Sequence, residues 1–277
     1  MSFTSTDIEK SLSSLGLGNG DVLFCHSNLS LFGNMYECED KEHYCKNFLD
    51  AILNVIGDDG TLIVPTYTYS FFNNQAYDSI TSSHKMGIFA EYVRQHVSSR
   101  RNDDPCFSVS ILGRLRNDFI ACSSSDTFGP RSVYEKLIAE DGKIVNFNMG
   151  PSSALIHYVE KLNVVKYRSD RTFKGIIMKN GSPIESNQIV YARSLNDPMD
   201  ENDFGIFNQI SLLSGLANRV ELGRGYISSI KAQTVSSLIK IGLTIDPNFL
   251  TKRGNPNKAR QILNALVSHE HMLPDKA

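Results

Sequence analysis

The sequence predicts a layered α/β protein, and three observations support that fold class. Short apolar runs that suit buried strands alternate with segments of helical periodicity between residues 6 and 162. Turn sequences such as Asn19-Gly20-Asp21 separate these segments. From about residue 170 the pattern changes to a strand hairpin followed by helices. The 277 residues contain no internal repeat or long linker, so we expect a single domain, 1–277.

Each element follows from its own local pattern. The first helix is expected at 6–15, where Ile8, Leu12 and Leu15 have helical spacing and Thr6 or Asp7 is the expected N-cap. Strands are then expected at 22–25, at 61–64 with Pro65 ending it, at 107–113 and at 143–148. Helices are expected at 43–56, 87–96, 132–139 and 153–162. The segments 173–178 and 189–192 flank a Gly181-Ser182-Pro183 turn and predict a hairpin, and helices are expected near 204–215, 228–239 and 257–268.

Composition and charge argue against several classes of protein. The net charge is −2 and no dense Lys/Arg block occurs, so a nucleic-acid partner is not expected. The first residues are polar and every apolar run is far too short to span a bilayer, so no membrane association is expected. The five cysteines form no C-x-x-C pair and no H-E-x-x-H motif occurs, so neither a disulfide framework nor a metal site is predicted. We therefore expect a cytoplasmic globular protein.

The first candidate binding segment, residues 25–30, follows the strand at 22–25. Ser27, Asn28 and Ser30 offer small polar groups at a place where ligands of α/β sheets gather, the carboxyl end of a strand. The segment therefore predicts a loop that hydrogen-bonds a polar ligand. A turn that caps a short helix is the common alternative for such a stretch.

A second candidate segment follows the strand at 61–64. Tyr67, Thr68 and Tyr69 combine hydrogen-bonding groups with flat apolar surface, which suits a sugar ring. A β-rich segment whose aromatic rings pack in the core explains the same residues equally well.

The third candidate is a histidine–carboxylate pair near the start of the helix at 153–162. His157 and Glu160 are three residues apart and therefore share one helix face. The positive end of the helix dipole disfavours an imidazolium, and a neighbouring carboxylate fixes the tautomer, so His157 can act as a general base. Surface helices also contain such pairs by chance.

Two cysteines are alternative nucleophiles. Cys25 precedes His26 directly, but neighbours in a strand point to opposite faces and cannot pair. Cys106 has no activating neighbour in the sequence, and burial is the usual fate of such thiols. A cysteine hydrolase is therefore a remote alternative.

These segments together resemble the aminoglycoside 3-N-acetyltransferase family, in order, from about Gly20 to about Phe249. The matching pieces are residues 20–33, 60–68, 86–87, 100–109, 128–134 and 141–143, the His157/Glu160 pair, and Tyr167-Arg168.

The resemblance implies a single three-layer α/β/α domain around a mixed sheet, distinct from the common GNAT-type acetyltransferase fold. It implies acetyl-coenzyme A as donor and an amino sugar as small-molecule acceptor, with residues 170–277 on the acceptor side. His157 then corresponds to the catalytic base and Glu160 to the carboxylate that orients it. On the coenzyme A side the resemblance places Ser27, Asn28, Leu29, Ser30, Arg101, Phe107 and Ser108, and near the acceptor it places Tyr67, Thr68 and Tyr69.

The family pattern is broken in two places. Asp104 stands before Pro105 where members usually have His, and Asn102 replaces a Ser. Ser153 and Ala154 stand before the candidate catalytic helix where Asn-Thr is common. These departures weaken the expectation that the acceptor is an aminoglycoside antibiotic.

An acidic segment, 196–203, also bears on the acceptor. Asp197, Asp200, Glu201 and Asp203 concentrate negative charge in an expected loop, which would attract a polycation. The alternative is an ordinary solvated surface loop.

Three functions stay open from the sequence. They are N-acetylation of an aminoglycoside, N- or O-acetylation of a sugar in surface-glycan or secondary-metabolite synthesis, and non-catalytic ligand binding on the same fold. Formation of a homodimer is an additional expectation.

Overall fold

The computed structural model describes residues 2–36, 38–122 and 125–269. Its strands are β1 (Val22–Phe24), β2 (Thr61–Pro65), β3 (Tyr77–Asp78), β4 (Arg100–Arg101), β5 (Val109–Gly113), β6 (Lys143–Phe147), β7 (Arg168–Lys179), β8 (Ser182–Arg193), β9 (Ala217–Leu222) and β10 (Gly225–Lys231). Its α-helices are α1 (Ser5–Ser14), α2 (Lys41–Ile56), α3 (Ile88–Gln95), α4 (Arg116–Ile120), α5 (Val133–Ala139), α6 (Leu155–Leu162), α7 (Gly205–Leu213), α8 (Ala232–Ile245) and α9 (Ala259–His269).

Seven strands form one mixed sheet in the order β4-β5-β2-β1-β6-β10-β9. The central strand β1 runs parallel to both neighbours, with Leu23 opposite Leu62 on β2 and Phe24 opposite Ile144 on β6. The outer strands β5 and β10 are antiparallel to β2 and β6. The carboxyl ends of β1, β2 and β6 therefore share one edge of the sheet, where ligand-binding loops of such sheets lie.

Helices cover both faces of this sheet because its strand residues alternate between two apolar clusters. Phe24 packs in the cluster that contains the buried residues of α5, α6 and α8. Leu23, on the opposite face, packs with the buried residues of α1, α2 and α3. The predicted α/β fold with a mixed sheet is confirmed.

A smaller sheet has the order β3-β7-β8 and contains the predicted hairpin. The hairpin strands are twelve residues each, longer than the segments 173–178 and 189–192. Their full pairing runs from Arg168 opposite Arg193 to Lys179 opposite Ser182. No helix in the described part of the chain has the length and apolarity to cross a membrane.

Two local predictions are wrong. The N-cap of α1 is Thr4, not Thr6 or Asp7, and Asp7 instead completes a capping box with Thr4. The expected helix at 228–239 begins only at Ala232, because residues 225–231 form β10, which pairs with β6 and β9. The apolar spacing of α8 runs on into β10, so periodicity alone did not separate the strand from the helix.

Candidate active site

His157 and Glu160 contact each other on α6, which follows the carboxyl end of β6. His157 Nδ1 lies 2.7 Å from Oε2 of Glu160. Both side chains are buried, with 8% of His157 and none of Glu160 exposed. A neutral ring that donates Nδ1–H to the carboxylate carries its lone pair on Nε2. Nε2 is therefore the nitrogen that can accept a proton from a ligand.

Two residues at the start of β7 hold the Glu160 carboxylate from its other side. The Tyr167 hydroxyl donates to Oε1 at 2.8 Å. Arg168 Nε lies 2.7 Å from Oε2, an ion pair in which the N–H is not aligned for a hydrogen bond. The Arg168 guanidinium also donates to the Tyr191 carbonyl at 3.1 Å and to Asn202 Oδ1. These contacts compensate the buried negative charge of Glu160.

The pKa values of the pair favour a neutral imidazole beside an ionised carboxylate. Burial lowers the pKa of His157, and the Arg168 charge lowers it further, against the opposing effect of Glu160. Burial raises the pKa of Glu160, but its contacts with His157, Arg168 and Tyr167 outweigh burial and hold that pKa below its usual range. At neutral pH His157 is therefore able to accept a proton.

Two phenylalanines flank the His157 ring. The Phe128 ring meets it edge-on with centroids 5.4 Å apart, and the Phe204 ring lies 5.9 Å away. Phe128 is itself stacked on Tyr134 of α5. The aromatic contacts fix the plane of the imidazole and keep water from its sides.

One buried amide ties the entrance of α6 to the end of β1. Asn146, on β6, donates to the carbonyls of Gly150 and Ser152 at 2.6 and 2.8 Å. Its Oδ1 accepts from the backbone N–H of His26 at 3.3 Å. The loop after β1 and the helix that carries His157 therefore share a single anchor.

A cleft of about 340 Å³ opens beside that loop, at the carboxyl edge of the sheet. The lining residues come from the loop after β1, the end of β2, residues 85–87 ahead of α3, and Met149. Lys85 brings a positive charge to the lining, and Gly87 is the N-cap of α3, which therefore has no side-chain cap.

Only two of the four predicted residues in the loop after β1 lie at the cleft. Ser27 and Asn28 line the cleft. Leu29 is buried in the core, and the Ser30 hydroxyl donates to Asn28 Oδ1 at 2.8 Å. Leu29 and Ser30 instead border a second hollow of about 520 Å³ in front of α2.

Arg101 and Ser108 lie inside the fold and not at the cleft. Arg101 donates to Ser108 Oγ at 3.1 Å, to the Ser82 carbonyl at 2.6 Å and to the Thr66 carbonyl. The Ser108 hydroxyl donates to the same Thr66 carbonyl at 2.7 Å. The polar groups of Arg101 and Ser108 thus form hydrogen bonds within the protein, and these bonds hold the residue that follows β2, Thr66, in place.

Phe107 packs within an aromatic cluster that leads toward His157. Its ring centroid lies 5.0 Å from that of Tyr67 and 5.0 Å from that of Phe128. Phe107 therefore contacts His157 only through Phe128, and it does not line the cleft.

The expected acceptor segment 67–69 lies mostly within the same cluster. Tyr67 is buried and its hydroxyl is 3.2 Å from that of Tyr134. The Thr68 hydroxyl donates to the Pro105 carbonyl at 2.9 Å. Tyr69 is half-buried and stacks on Phe72. Core packing therefore accounts for much of this segment.

The negative charge of the acidic loop is partly offset by two cations from the segment after α8. Arg253 pairs with both Asp197 and Asp200, and Lys252 Nζ lies 2.6 Å from Glu201 Oε2. The loop nevertheless reaches the site, through Asn202 on Arg168 and Phe204 on His157.

Several residues of the site had no role in the sequence prediction. Arg168 was noted only because the Tyr167-Arg168 segment resembles the family. No local sequence pattern indicated a role for Asn202, Phe128 or Phe204. Asn146 did carry one, since it is a polar residue within an apolar strand. Over the described ranges, no group of three or more His, Cys, Asp or Glu side chains that could hold a metal ion is found.

The fold thus combines a mixed α/β sheet, a buried His157–Glu160 pair on α6 and a cleft at the carboxyl edge of the sheet. A sequence profile of the aminoglycoside 3-N-acetyltransferase family matches residues 24–240. The chain therefore belongs to the aminoglycoside 3-N-acetyltransferase family.

Individual relatives agree with this assignment. Aminoglycoside N(3)-acetyltransferase VII of Streptomyces paromomycinus is 28% identical over 181 residues, which are 57% of this chain and 60% of that protein. The aligned region thus spans less than two thirds of that relative. The crystal structure of aminoglycoside acetyltransferase AAC(3)-Xa superposes with a TM-score of 0.74 at 22% identity, covering 85% of this chain and 90% of that one. The structure of AAC-IIIb with CoASH has a TM-score of 0.71 at 18% identity, with coverages of 86% and 94%. Both structures share the fold of this chain.

Proposed function

We propose that the protein transfers an acetyl group from acetyl-coenzyme A to an amino group of an aminoglycoside or related amino sugar. The observation that carries this proposal is the buried His157–Glu160 pair, with Nδ1 committed to the carboxylate and Nε2 left for a ligand. Membership of the acetyltransferase family supports it. So does the bound CoASH of AAC-IIIb, a protein of the same fold.

The pair supplies what the reaction needs. An amine is largely protonated at neutral pH and cannot attack a thioester until it loses a proton. The ammonium first gives one proton to solvent; His157 Nε2 then takes a second proton from the neutral amine as its nitrogen adds to the thioester carbon, and Glu160 stabilises the resulting imidazolium. When the C–S bond breaks, the coenzyme sulfur takes the proton back from His157. A thioester is already activated, and positioning of both substrates in one ternary complex contributes much of the remaining rate.

The cleft beside β1 suits the thioester end of the donor. Ser27 and Asn28 supply polar groups on its wall, and Lys85 supplies a positive charge for an anionic cosubstrate. The first N–H groups of α3, whose N-cap Gly87 offers no side-chain cap, add partial positive charge there. We assign coenzyme A binding to this cleft. Of the residues expected on the coenzyme A side, we assign Ser27 and Asn28 to it.

We also propose that the chain acts as one domain, with residues 170–277 forming the acceptor side. Completion of the sheet by β9 and β10 supports the first point. The contacts of Asn202 and Phe204 with the Arg168–His157 site support the second. A cytoplasmic location and a homodimer stay predictions.

A second candidate function is acetylation of a less cationic sugar in glycan or secondary-metabolite synthesis. The observation that favours it is the pairing of Asp197, Asp200 and Glu201 with Lys252 and Arg253, which weakens the attraction of the loop for a polycation.

The test is acetyl-coenzyme A turnover on a panel of aminoglycosides and on amino-sugar nucleotides, with release of the thiol followed by absorbance and products identified by mass. We expect turnover with at least one acceptor and a loss of roughly 10²–10⁴-fold in His157→Ala. His43→Ala, at the exposed start of α2, is the matched histidine control and should retain activity. Full turnover in folded His157→Ala would overturn the mechanism, and no turnover with any acceptor would overturn the activity.

A further inference from the structure

His26 lines the cleft and contacts the aromatic cluster that includes Tyr67. It lies two residues beyond Phe24, the last residue of β1, so strand alternation places its ring on the same face as Phe24. The ring meets Phe24 edge-on with centroids 5.5 Å apart and lies 6.1 Å from the ring of Tyr67. His26 thus contacts both the aromatic cluster that leads to His157 and the space assigned to the donor.

The position of this ring is fixed from β6. The His26 backbone N–H donates to Asn146 Oδ1, and its carbonyl accepts from the Phe147 N–H at 2.9 Å. Asn146 also holds the turn that leads into α6. Asn146 and Phe147 of β6 therefore hold His26 in a fixed position relative to the turn into the helix of His157.

The Nε2 atom of His26 makes no hydrogen bond to the part of the chain that the structure describes. Nε2 is also shielded from solvent. An unsatisfied buried polar group destabilises the fold, and such groups are uncommon in native structures. Neither core packing nor the His157–Glu160 pair explains why a histidine stands here instead of an apolar residue.

We propose that His26 is a second catalytic residue, whose Nε2–H donates a hydrogen bond to the carbonyl oxygen of the acetyl thioester. This inference rests on the proposed acetyl transfer. As the amine nitrogen bonds to the thioester carbon, the carbonyl π electrons move to oxygen, and His26 stabilises the oxyanion. When the carbonyl re-forms, the C–S bond breaks and the sulfur leaves with the proton that His157 had taken. His26 keeps its own proton throughout.

The surroundings of His26 suit a neutral donor. Burial lowers the pKa of His26 to about 4, so the ring is uncharged at neutral pH. It therefore donates one hydrogen bond, and among the described residues no carboxylate contacts it to make it a competing base. The two histidines thus take different parts of one reaction, proton transfer at His157 and charge stabilisation at His26.

The experiment compares His26→Phe, which keeps an aromatic ring between Phe24 and Tyr67 but has no donor, with His26→Gln, whose amide restores one. We expect kcat of His26→Phe to fall about 10²–10³-fold with little change in KM for acetyl-coenzyme A. His26→Gln should recover at least tenfold of that loss, and the acid limb of the kcat/KM–pH profile, which reports His157, should not move. A general folding defect would not give this split or this rescue.

A second readout does not depend on turnover. In isotope-edited infrared spectra of [1-¹³C]acetyl-coenzyme A bound without acceptor, the carbonyl band should lie at lower frequency than in solution for wild type and His26→Gln. His26→Phe should lose that shift. Two results would overturn the role of His26 alone. One is that the wild type turns over and kcat of His26→Phe lies within threefold of the wild-type value. The other is that the carbonyl band of His26→Phe is the same as that of the wild type. Absence of wild-type turnover with every acceptor overturns the acetyl transfer and this inference together.

Discussion

Replacing Glu160 by Gln tests the buried network most directly. The amide has nearly the size of the carboxylate but lacks the charge that His157 and Arg168 both contact at 2.7 Å. Tyr167, which donates to Oε1 at 2.8 Å, keeps an oxygen acceptor only if the amide orients toward it. The substitution therefore changes charge without opening a cavity.

Two effects follow from these contacts. The imidazolium formed at His157 loses its stabilising anion, so we expect kcat/KM to fall by roughly 10²–10⁴-fold. The buried Arg168 loses its partner, and breaking a buried ion pair from one side costs about 3–5 kcal/mol. For a protein of this size that corresponds to a fall in Tm of roughly 6–20 °C.

The pH dependence has a definite sign. The charge of Glu160 raises the pKa of His157, so its removal lowers that pKa further. The acid limb of the kcat/KM–pH profile should therefore move to lower pH while the plateau falls. Thiol release measured from pH 5 to 9, with thermal unfolding in parallel, gives both quantities. Glu185→Gln, on the exposed hairpin strand β8, is the matched control. Full turnover and an unmoved profile in Glu160→Gln would refute the assignment of the pair.

Three further substitutions test neighbouring contacts. Tyr167→Phe removes only the hydroxyl that donates to Glu160, so stability measured by denaturant unfolding should fall by about 1–3 kcal/mol, and the loss of kcat should be smaller than in Glu160→Gln. A loss of kcat in Tyr167→Phe larger than that in Glu160→Gln would contradict the view that Tyr167 acts only through Glu160. Arg101→Gln removes a buried guanidinium from the Thr66 carbonyl and should lower stability by about 3 kcal/mol while leaving KM for acetyl-coenzyme A unchanged. A tenfold higher KM at unchanged Tm would return Arg101 to the coenzyme A side. Arg253→Ala releases two aspartates of the acidic loop, so KM for a cationic acceptor should fall about 2–5-fold at low salt and recover at high salt. An unchanged KM at low salt would remove the loop from the acceptor path.

Strong local periodicity made most of the fold predictable. The buried strands at 61–65 and 143–147 and the helix α2 carry clear apolar patterns and turn residues at their ends. β10 was missed because its buried Ser228 and Ser229 do not look like core residues, although both lie within the sheet. Burial of such residues depends on the neighbouring strands β6 and β9. β6 is distant in the sequence, and β9 was not predicted as a strand.

The site was predictable only where its residues are close in the chain. The spacing of His157 and Glu160 on a helix was enough to predict their contact. The pairing of Arg253 with the acidic loop joins residues more than fifty positions apart, and no local pattern indicates it. The burial of Arg101 likewise depends on carbonyl groups of two other segments. Such contacts arise from the tertiary fold and leave no periodic trace.

The hydrogen bond from Arg168 to Asn202 links the acidic loop to the ion pair of Arg168 with Glu160. In the proposed reaction, the loop that would be varied to admit a new acceptor therefore also touches the group that balances the charge behind the proposed base. Under that proposal, selection or engineering of the 196–204 segment for a different acceptor will alter turnover as well as affinity. Libraries that keep Asn202 and Phe204 fixed should yield more active variants than libraries that randomise the whole segment.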